Sequence, residues 1–401
     1  MSSPSDWEQL SASEIAQFVL NETADETPKN HEIVIIEEGG WSILSSPGTP
    51  LPKSPVRELP LDEKTWMEIL DSESLDGAFD SIRRRVHHTV HHGGVEDQIR
   101  SSVWKYMLKV EDYDTTKQVF DSSRKRWKAL LELEYSTGQQ STKSFLLENL
   151  FRIEKDVIRT DRNHSFYPQT MNQSIYSPHE IVQDNEKLCQ LKDILMTYSS
   201  SRDNNDQDSG FVQGMADLAS MFLVVAGNEV DAYGCFCKFM ETRKENFLDS
   251  GDGIKRQLEL IRMLLKLIDP ELDKHIQDPL FCSFRWLLVS FRREFQFQDC
   301  LKIWDQLIAS YPFQDWQVFL SVALLEMYRN EILKIRQGDC QLDELMRFFQ
   351  SQAMHFNVDV VLLRAEEVYL IFERHARSKG FPLSPKSNIS LLTTLEQLNS
   401  I

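Results

Sequence analysis

From about residue 61 onward, apolar residues recur at spacings of three and four with few interruptions. Leu75, Phe79, Ile82, Val86 and Val90 mark one face of an amphipathic helix, and Gly93-Gly94 supplies a suitable stop. The same periodicity predicts helices near 95–109, 115–136, 144–160, 178–199, 210–226, 229–248, 254–268, 279–295, 298–310, 315–335, 341–351 and 358–378. The polar stretch 199–210 and the pairs Asp269-Pro270 and Asp278-Pro279 punctuate the pattern. Strand-like alternation is missing from this region. No helix pair recurs at a constant period, which disfavours a regular solenoid. The pattern predicts one large, irregular, all-α domain.

Residues 1–60 read differently. They are acidic and rich in Ser and Thr, then pass into the proline-rich SSPGTPLPKSPVRELP, which cannot form a helix. Residues 31–44, HEIVIIEEGGWSIL, place two β-prone runs around Gly39-Gly40 and suggest a short β-hairpin. A lone hairpin is marginal in water, so this segment also reads as the remnant of a larger N-terminal domain. Ser46-Pro47, Thr49-Pro50 and Ser54-Pro55 suit proline-directed kinases. The expected organisation is a mostly disordered arm or domain remnant over 1–60 and a helical domain over 61–335. C-terminal helices packing on that domain are expected over 336–378, and a tail over 379–401.

Charge removes one class of function. Acidic residues number 62 against 44 basic, a net −18, and no aromatic-studded basic stripe offsets it, so nucleic acid is not an expected partner. A hydrophobic share of 41% is enough for a sizeable core. Cys189, Cys235, Cys237, Cys282, Cys300 and Cys340 form no C-x-x-C pair and read as reduced, buried thiols of a cytosolic protein. The first residues have neither a basic nor an apolar signal region. The most lipid-like run, Met221 to Ala226, falls far short of the ~20 residues a spanning helix needs, so membrane contact is expected to be peripheral.

Two segments carry candidate chemistry. In LFRIEKDVIRTDR (150–162), Leu150, Ile153 and Val157 anchor a helical face, and Asp156 stands three residues before Arg159, close enough to orient its guanidinium. By itself this is most often an ordinary surface ion pair. In SGFVQGMADL (209–218), Asp208 or Ser209 can cap a helix, which puts Gln213 in or near the first turn between Gly210 and Gly214. By itself Gln213 is most often a bonded core or capping residue.

Taken together, in this order on an all-α background, the two segments resemble the TBC-domain family of Rab GTPase activators. Its I-x-x-D-x-x-R motif is matched by Ile153, Asp156 and Arg159, continuing into Thr160, and its Y-x-Q-G motif by Phe211, Gln213 and Gly214, with phenylalanine for tyrosine. Gly94, Arg100, Val103 and Trp104 match the family's opening glycine and R-x-x-V-W element. Phe284, Arg285, Trp286, Leu287, Arg293, Glu294, Phe295 and Trp304 resemble its later R-W-L…R-E-F…W block. The resemblance runs over about 93–335, and IEKDVIRTDR, DILMTY and FRWLL look closest to the branch acting on late-endosomal or vacuolar Rabs.

The resemblance implies a division of labour. Arg159 is the arginine finger that neutralises charge on the transferring phosphoryl group, a contribution of roughly 10³–10⁵ in rate. Asp156 orients it, Gln213 positions the attacking water, and Gly214 lets the two surfaces approach. The partner is a GTP-bound Rab, which holds GTP and Mg²⁺, so no cofactor or metal is expected on this chain. The protein is then a cytoplasmic activator recruited through its Rab to endosomal or other Rab-bearing membranes. Phe211 keeps the family's aromatic ring but loses a hydroxyl, at a cost on the order of 1 kcal/mol. A catalytically weak or inactive scaffold that binds the GTP-bound Rab or an autophagy adaptor is therefore the alternative.

Two further patterns stand outside that scheme. His87, His88, His91 and His92 have i,i+4 pairs that suit a metal, yet no neighbouring third ligand is evident, and a solvated helix end is expected. Trp7-Glu-Gln-Leu10 and Trp41-Ser-Ile-Leu44 resemble W-x-x-L motifs that add a strand to ubiquitin-like autophagy adaptors.

Overall fold

In this computed structural model, the described residues are 55–76, 79–137, 145–161, 163–167, 176–201, 210–277, 280–311, 315–381 and 391–400, with Glu14, Gln17, Val19 and Leu20. The segment 31–44 and the W-x-x-L residues Trp7 and Trp41 lie outside them. The helices up to residue 250 are α1 (Glu63–Asp76), α2 (Phe79–Gly93), α3 (Asp97–Leu108), α4 (Tyr113–Thr137), α5 (Phe145–Val157), α6 (Pro178–Gln183), α7 (Glu186–Ser201), α8 (Met215–Ala226) and α9 (Glu229–Arg243). They are followed by α10 (Asp252–Ile268), α11 (Pro270–His275), α12 (Phe284–Leu288), α13 (Phe297–Ala309), α14 (Trp316–Met327), α15 (Arg329–Ile332), α16 (Gln341–Gln352), α17 (Val358–Ser378) and α18 (Leu391–Asn399). Among the described residues there is no strand, only an isolated bridge between Leu61 and Val95. The all-α expectation holds.

The described residues divide into two compact units, one within 12–20 and 100–250, the other within 55–99 and 251–400. In the first, α8 (MADLASMFLVVA) is apolar nearly all round, and Met215 to Leu223 are buried without a break. A helix of that kind belongs at the centre of a core. It packs on α7 and α9, and α5 lies against α7. Trp104 meets Phe222 edge-on at 5.7 Å, while Trp127 donates Nε1–H to Thr197 Oγ1 at 3.0 Å.

In the second unit, α14 is buried along its whole length and packs along α17. Trp316 donates Nε1–H to Gln306 Oε1 at 2.8 Å, and Gln306 Nε2 donates to the carbonyl of His91 at 2.9 Å. Residues 279–295 are not the continuous helix that their periodicity predicts. A short 3₁₀ turn (Phe281–Ser283) and α12 give way to turns in which Ser290 and Phe291 have φ of 49° and 62°. Trp286, Phe291 and Phe295 are all buried there. The Trp286 and Phe291 rings stack on each other at 6.2 Å, a pairing that residues five apart, about 140° round a straight helix, do not make.

Other departures have similarly plain causes. Within the segment read as a disordered arm, Glu14, Gln17, Val19 and Leu20 are helical, and the apolar Val19 and Leu20 are buried. Residues 55–60 are held against the end of α2, where Glu58 N–H donates to the His92 carbonyl at 3.1 Å. Gly93 permits this approach, since a Cβ there would stand 2.2 Å from the Leu59 carbonyl oxygen. The stretch read as a tail contains α18, whose Leu391, Leu395 and Leu398 are buried at helical spacing in a helix packed on α10. Cys340 is exposed and Cys189 and Cys237 are half-buried, so the cysteines are not uniformly buried thiols. No helix among the described residues is long and apolar enough to cross a membrane.

The histidine run departs furthest from expectation. His91 is fully buried rather than solvated, its ring edge-on to Trp316 at 4.3 Å. Its Nε2 lies 3.2 Å from Glu366 on α17, a third potential ligand that local sequence could not reveal. Burial lowers the His91 pKa and brings that of His92 to about 4.

Candidate functional site

Helix α5 is amphipathic, but its buried face is only half apolar. Asn149, Glu154 and Asp156 are buried beside Leu150, Ile153 and Val157. Buried polar groups need partners, and each of these three takes one from another segment. Asn149 Oδ1 accepts the backbone N–H of Phe211 at 3.1 Å. Glu154 Oε1 pairs with His179 Nδ1 at 2.7 Å, and Asp156 Oδ2 accepts the backbone N–H of Gly214 at 3.3 Å.

The helix ends at Val157, and the chain turns through Ile158, Arg159, Thr160 and Asp161. Arg159 N–H donates to the Asp156 carbonyl at 3.0 Å, and so does the Thr160 hydroxyl at 2.9 Å. Asp161 adopts φ of 48°, and its carboxylate accepts the hydroxyl of Ser220 on α8, which also lies 2.9 Å from Tyr167 Oη. The Arg159 side chain remains 40% exposed. Its Nη2 donates to Asp156 Oδ1 at 2.9 Å and its Nε to the Lys155 carbonyl at 3.0 Å. The cation is thus oriented by Asp156 and Lys155 while part of it reaches solvent.

Gln213 lies near the first turn of α8 but not in it. Gly214 has φ of 100°, a left-handed conformation that costs glycine little, and α8 begins only at Met215. Gln213 therefore occupies the turn just before the helix and is half-buried, while the Asp208 and Ser209 caps lie outside the described residues. The Phe211 ring is buried.

Asp156 is the meeting point of the two motifs: one oxygen bonds Arg159, and the other bonds the turn that carries Gln213. Asp156, Arg159, Thr160, Phe211 and Gly214 thus come together around the buried end of α5, with Ile153 fully buried behind them. Arg100 and Trp104 are buried in the same unit. The remaining motif residues belong to the other unit. There Gly94 takes φ of 85°, Trp286 is buried, and Arg285 pairs bidentately with Glu294 at 2.6 and 2.8 Å. Sequence reasoning missed Asn149, Asp161, Tyr167 and Ser220. Asn149 left a signal, a polar residue four positions before Ile153 on the apolar face, whereas the other three are joined only by the fold.

Residues 97–333 match the Rab-GTPase-TBC domain (RabGAP-TBC), more than half of the chain, and the chain belongs to this family. It is 29% identical over 331 residues to GTPase-activating protein gyp7 of Schizosaccharomyces pombe, covering 79% of this chain and 42% of that protein. It is 31% identical over 320 residues to human TBC1 domain family member 17, covering 77% and 46%. The chain spans about half the length of the curated relatives it matches. Among solved structures it shares its fold with the Ypt/Rab-GAP domain of Gyp1p, at a TM-score of 0.53 and 20% identity over 75% of this chain and 98% of that one.

Proposed function

We propose that this protein accelerates GTP hydrolysis by a Rab-family small GTPase, with Arg159 and Gln213 completing the hydrolytic site in trans. The observation that carries this reading is Asp156, which bonds both the Arg159 guanidinium and the Gly214 turn. Charge held in place before the reaction needs no reorganisation at the transition state. Arg159 stabilises the charge spreading over the γ-phosphate oxygens, Gln213 orients the attacking water, and Thr160 braces the turn. GTP and Mg²⁺ belong to the Rab, and the activator brings no cofactor. Membership of the Rab-GTPase-TBC family and the likeness to GTPase-activating protein gyp7 support the assignment. The Rab is proposed to be one of late-endosomal or vacuolar membranes, the branch whose motifs this sequence resembles. The protein would then act from the cytoplasm, reaching the membrane through that partner.

The weak-scaffold alternative rests on Phe211. The turn is nonetheless anchored through backbone N–H groups, Phe211 to Asn149 and Gly214 to Asp156, and neither bond needs a phenolic hydroxyl. This favours a working activator. The deciding experiment is single-turnover GTP hydrolysis across a panel of GTP-loaded Rabs. At least one should be accelerated, and Arg159→Ala should remove roughly 10³-fold or more of that acceleration. Equal rates with wild type and Arg159→Ala on every Rab would sink the proposal, and GTP-dependent binding without acceleration would favour the scaffold.

A further inference from the structure

We propose that His91, His92 and Glu366 form a binding site for a divalent cation of the zinc class, pinning the last turn of α2 to α17. The three side chains offer ligand atoms that all lie within 4.8 Å of one another. His91 Nε2 stands 3.2 Å from Glu366 Oε2, and His92 Nδ1 stands 4.0 Å from Oε1. Donors about 2.0–2.1 Å from a tetrahedral ion lie about 3.4 Å apart, so the first spacing already suits two ligands of one ion. The second is too long for a hydrogen bond. It leaves a mostly buried carboxylate oxygen facing an imidazole nitrogen across a gap that an ion would close. The His92 side chain is 24% exposed, where that of His91 is wholly buried.

The donor chemistry and the surrounding charge agree. Two imidazoles and one carboxylate are a donor set that zinc takes readily, with water in the fourth position. His88, its ring centroid 4.3 Å from that of His92, is the next imidazole in line. The nearest cation is Arg57, which bonds the His91 carbonyl at 2.9 Å and interacts with Asp359, Asp305, Glu366 and Glu58. Glu366 is the carboxylate that acts on both His91 and His92, and it supplies the negative charge that a divalent ion needs. His91 and His92 precede the family-matched span 97–333 and Glu366 follows it, so the site stands apart from the GTPase reading.

The test uses the full chain, untagged and stripped of metal, titrated with Zn²⁺ against a chromophoric chelator and separately with Co²⁺. We expect one equivalent of Zn²⁺ bound, a melting temperature raised by several degrees, and the intense visible absorption of four-coordinate Co²⁺. His92→Ala and Glu366→Gln should each weaken binding at least about tenfold, the scale on which metal-site residues act. His92→Gln replaces either variant if circular dichroism shows it unfolded. No stoichiometric uptake by wild type, or full uptake retained in the variants, overturns the proposal. GTP hydrolysis plays no part in the readout, so this site and the activator function stand or fall separately.

Discussion

The carboxylate of Asp156 accepts the backbone N–H of Gly214 at 3.3 Å, across 58 residues of sequence. Its other oxygen takes Arg159 Nη2 at 2.9 Å, and the side chain is only 3% exposed. Burying a carboxylate is costly unless it is paired and bonded, and here both oxygens are used. A single anion therefore fixes an exposed cation relative to a turn that presents an amide.

Asp156→Asn tests this coupling. The amide oxygen can still accept from Gly214, but the charge holding Arg159 is gone. A hydrogen bond to a charged group contributes about 1.5–3 kcal/mol, so single-turnover hydrolysis on the accelerated Rab should slow about ten- to hundredfold, while affinity for the GTP-bound Rab changes little. An unchanged rate would show that Arg159 needs no orienting carboxylate.

The second tie between the segments is the Ser220 hydroxyl on Asp161, beside Tyr167. Asp161 holds a left-handed turn two residues after Arg159, a conformation that aspartate tolerates better than most residues and that its carboxylate bond helps to hold. Ser220→Ala should lower the melting temperature by a few degrees and slow hydrolysis a few-fold at a temperature where the variant is fully folded. A lowered melting temperature with an unchanged rate would confine the network to stability.

The all-α class and both motif segments could be read from the sequence because helical periodicity and motif spacing are local signals. The Asp156–Arg159 pair could be read for the same reason, being one helical turn apart. The start of α8 was misplaced because Gly214 takes a left-handed φ, and periodicity is silent about backbone sign. The helix expected over 279–295 is broken by the left-handed φ at Ser290 and Phe291, about which periodicity is equally silent. Glu366 lies 275 residues from His91, so no local pattern could join them.

Acid should stabilise one part of the core. Burial, with the Asp269 charge adding to it, pushes the Glu326 carboxyl up to about 7 even though Arg364 Nη2 lies 3.2 Å away. In the unfolded chain this group titrates near 4.3. The folded state therefore keeps a proton that the unfolded chain releases between those values, and the stability from this group falls as pH rises through that window. Glu326→Gln should raise the melting temperature at pH 8 relative to wild type and change it much less at pH 5. The check is thermal unfolding followed across that range, and an equal effect at both ends would remove Glu326 as the source.

Phe151 provides the last test, because it is a large apolar residue left exposed. It lies on α5 with 56% of its surface exposed, followed one turn later by the exposed Lys155 and then by Arg159. If Arg159 acts as proposed, an exposed aromatic ring on the helix that leads into its turn suits contact with the GTPase surface. Aromatic anchors of this kind typically contribute more than about 1 kcal/mol to binding when buried in an interface. Phe151→Ala should raise KM for the GTP-bound Rab about five- to tenfold and leave kcat close to wild type. The melting temperature should hold, since little buried surface is lost. Steady-state hydrolysis over a range of Rab concentrations separates the two constants. A fall in kcat with KM unchanged would mean that the ring acts through the Arg159 turn and not by holding the partner.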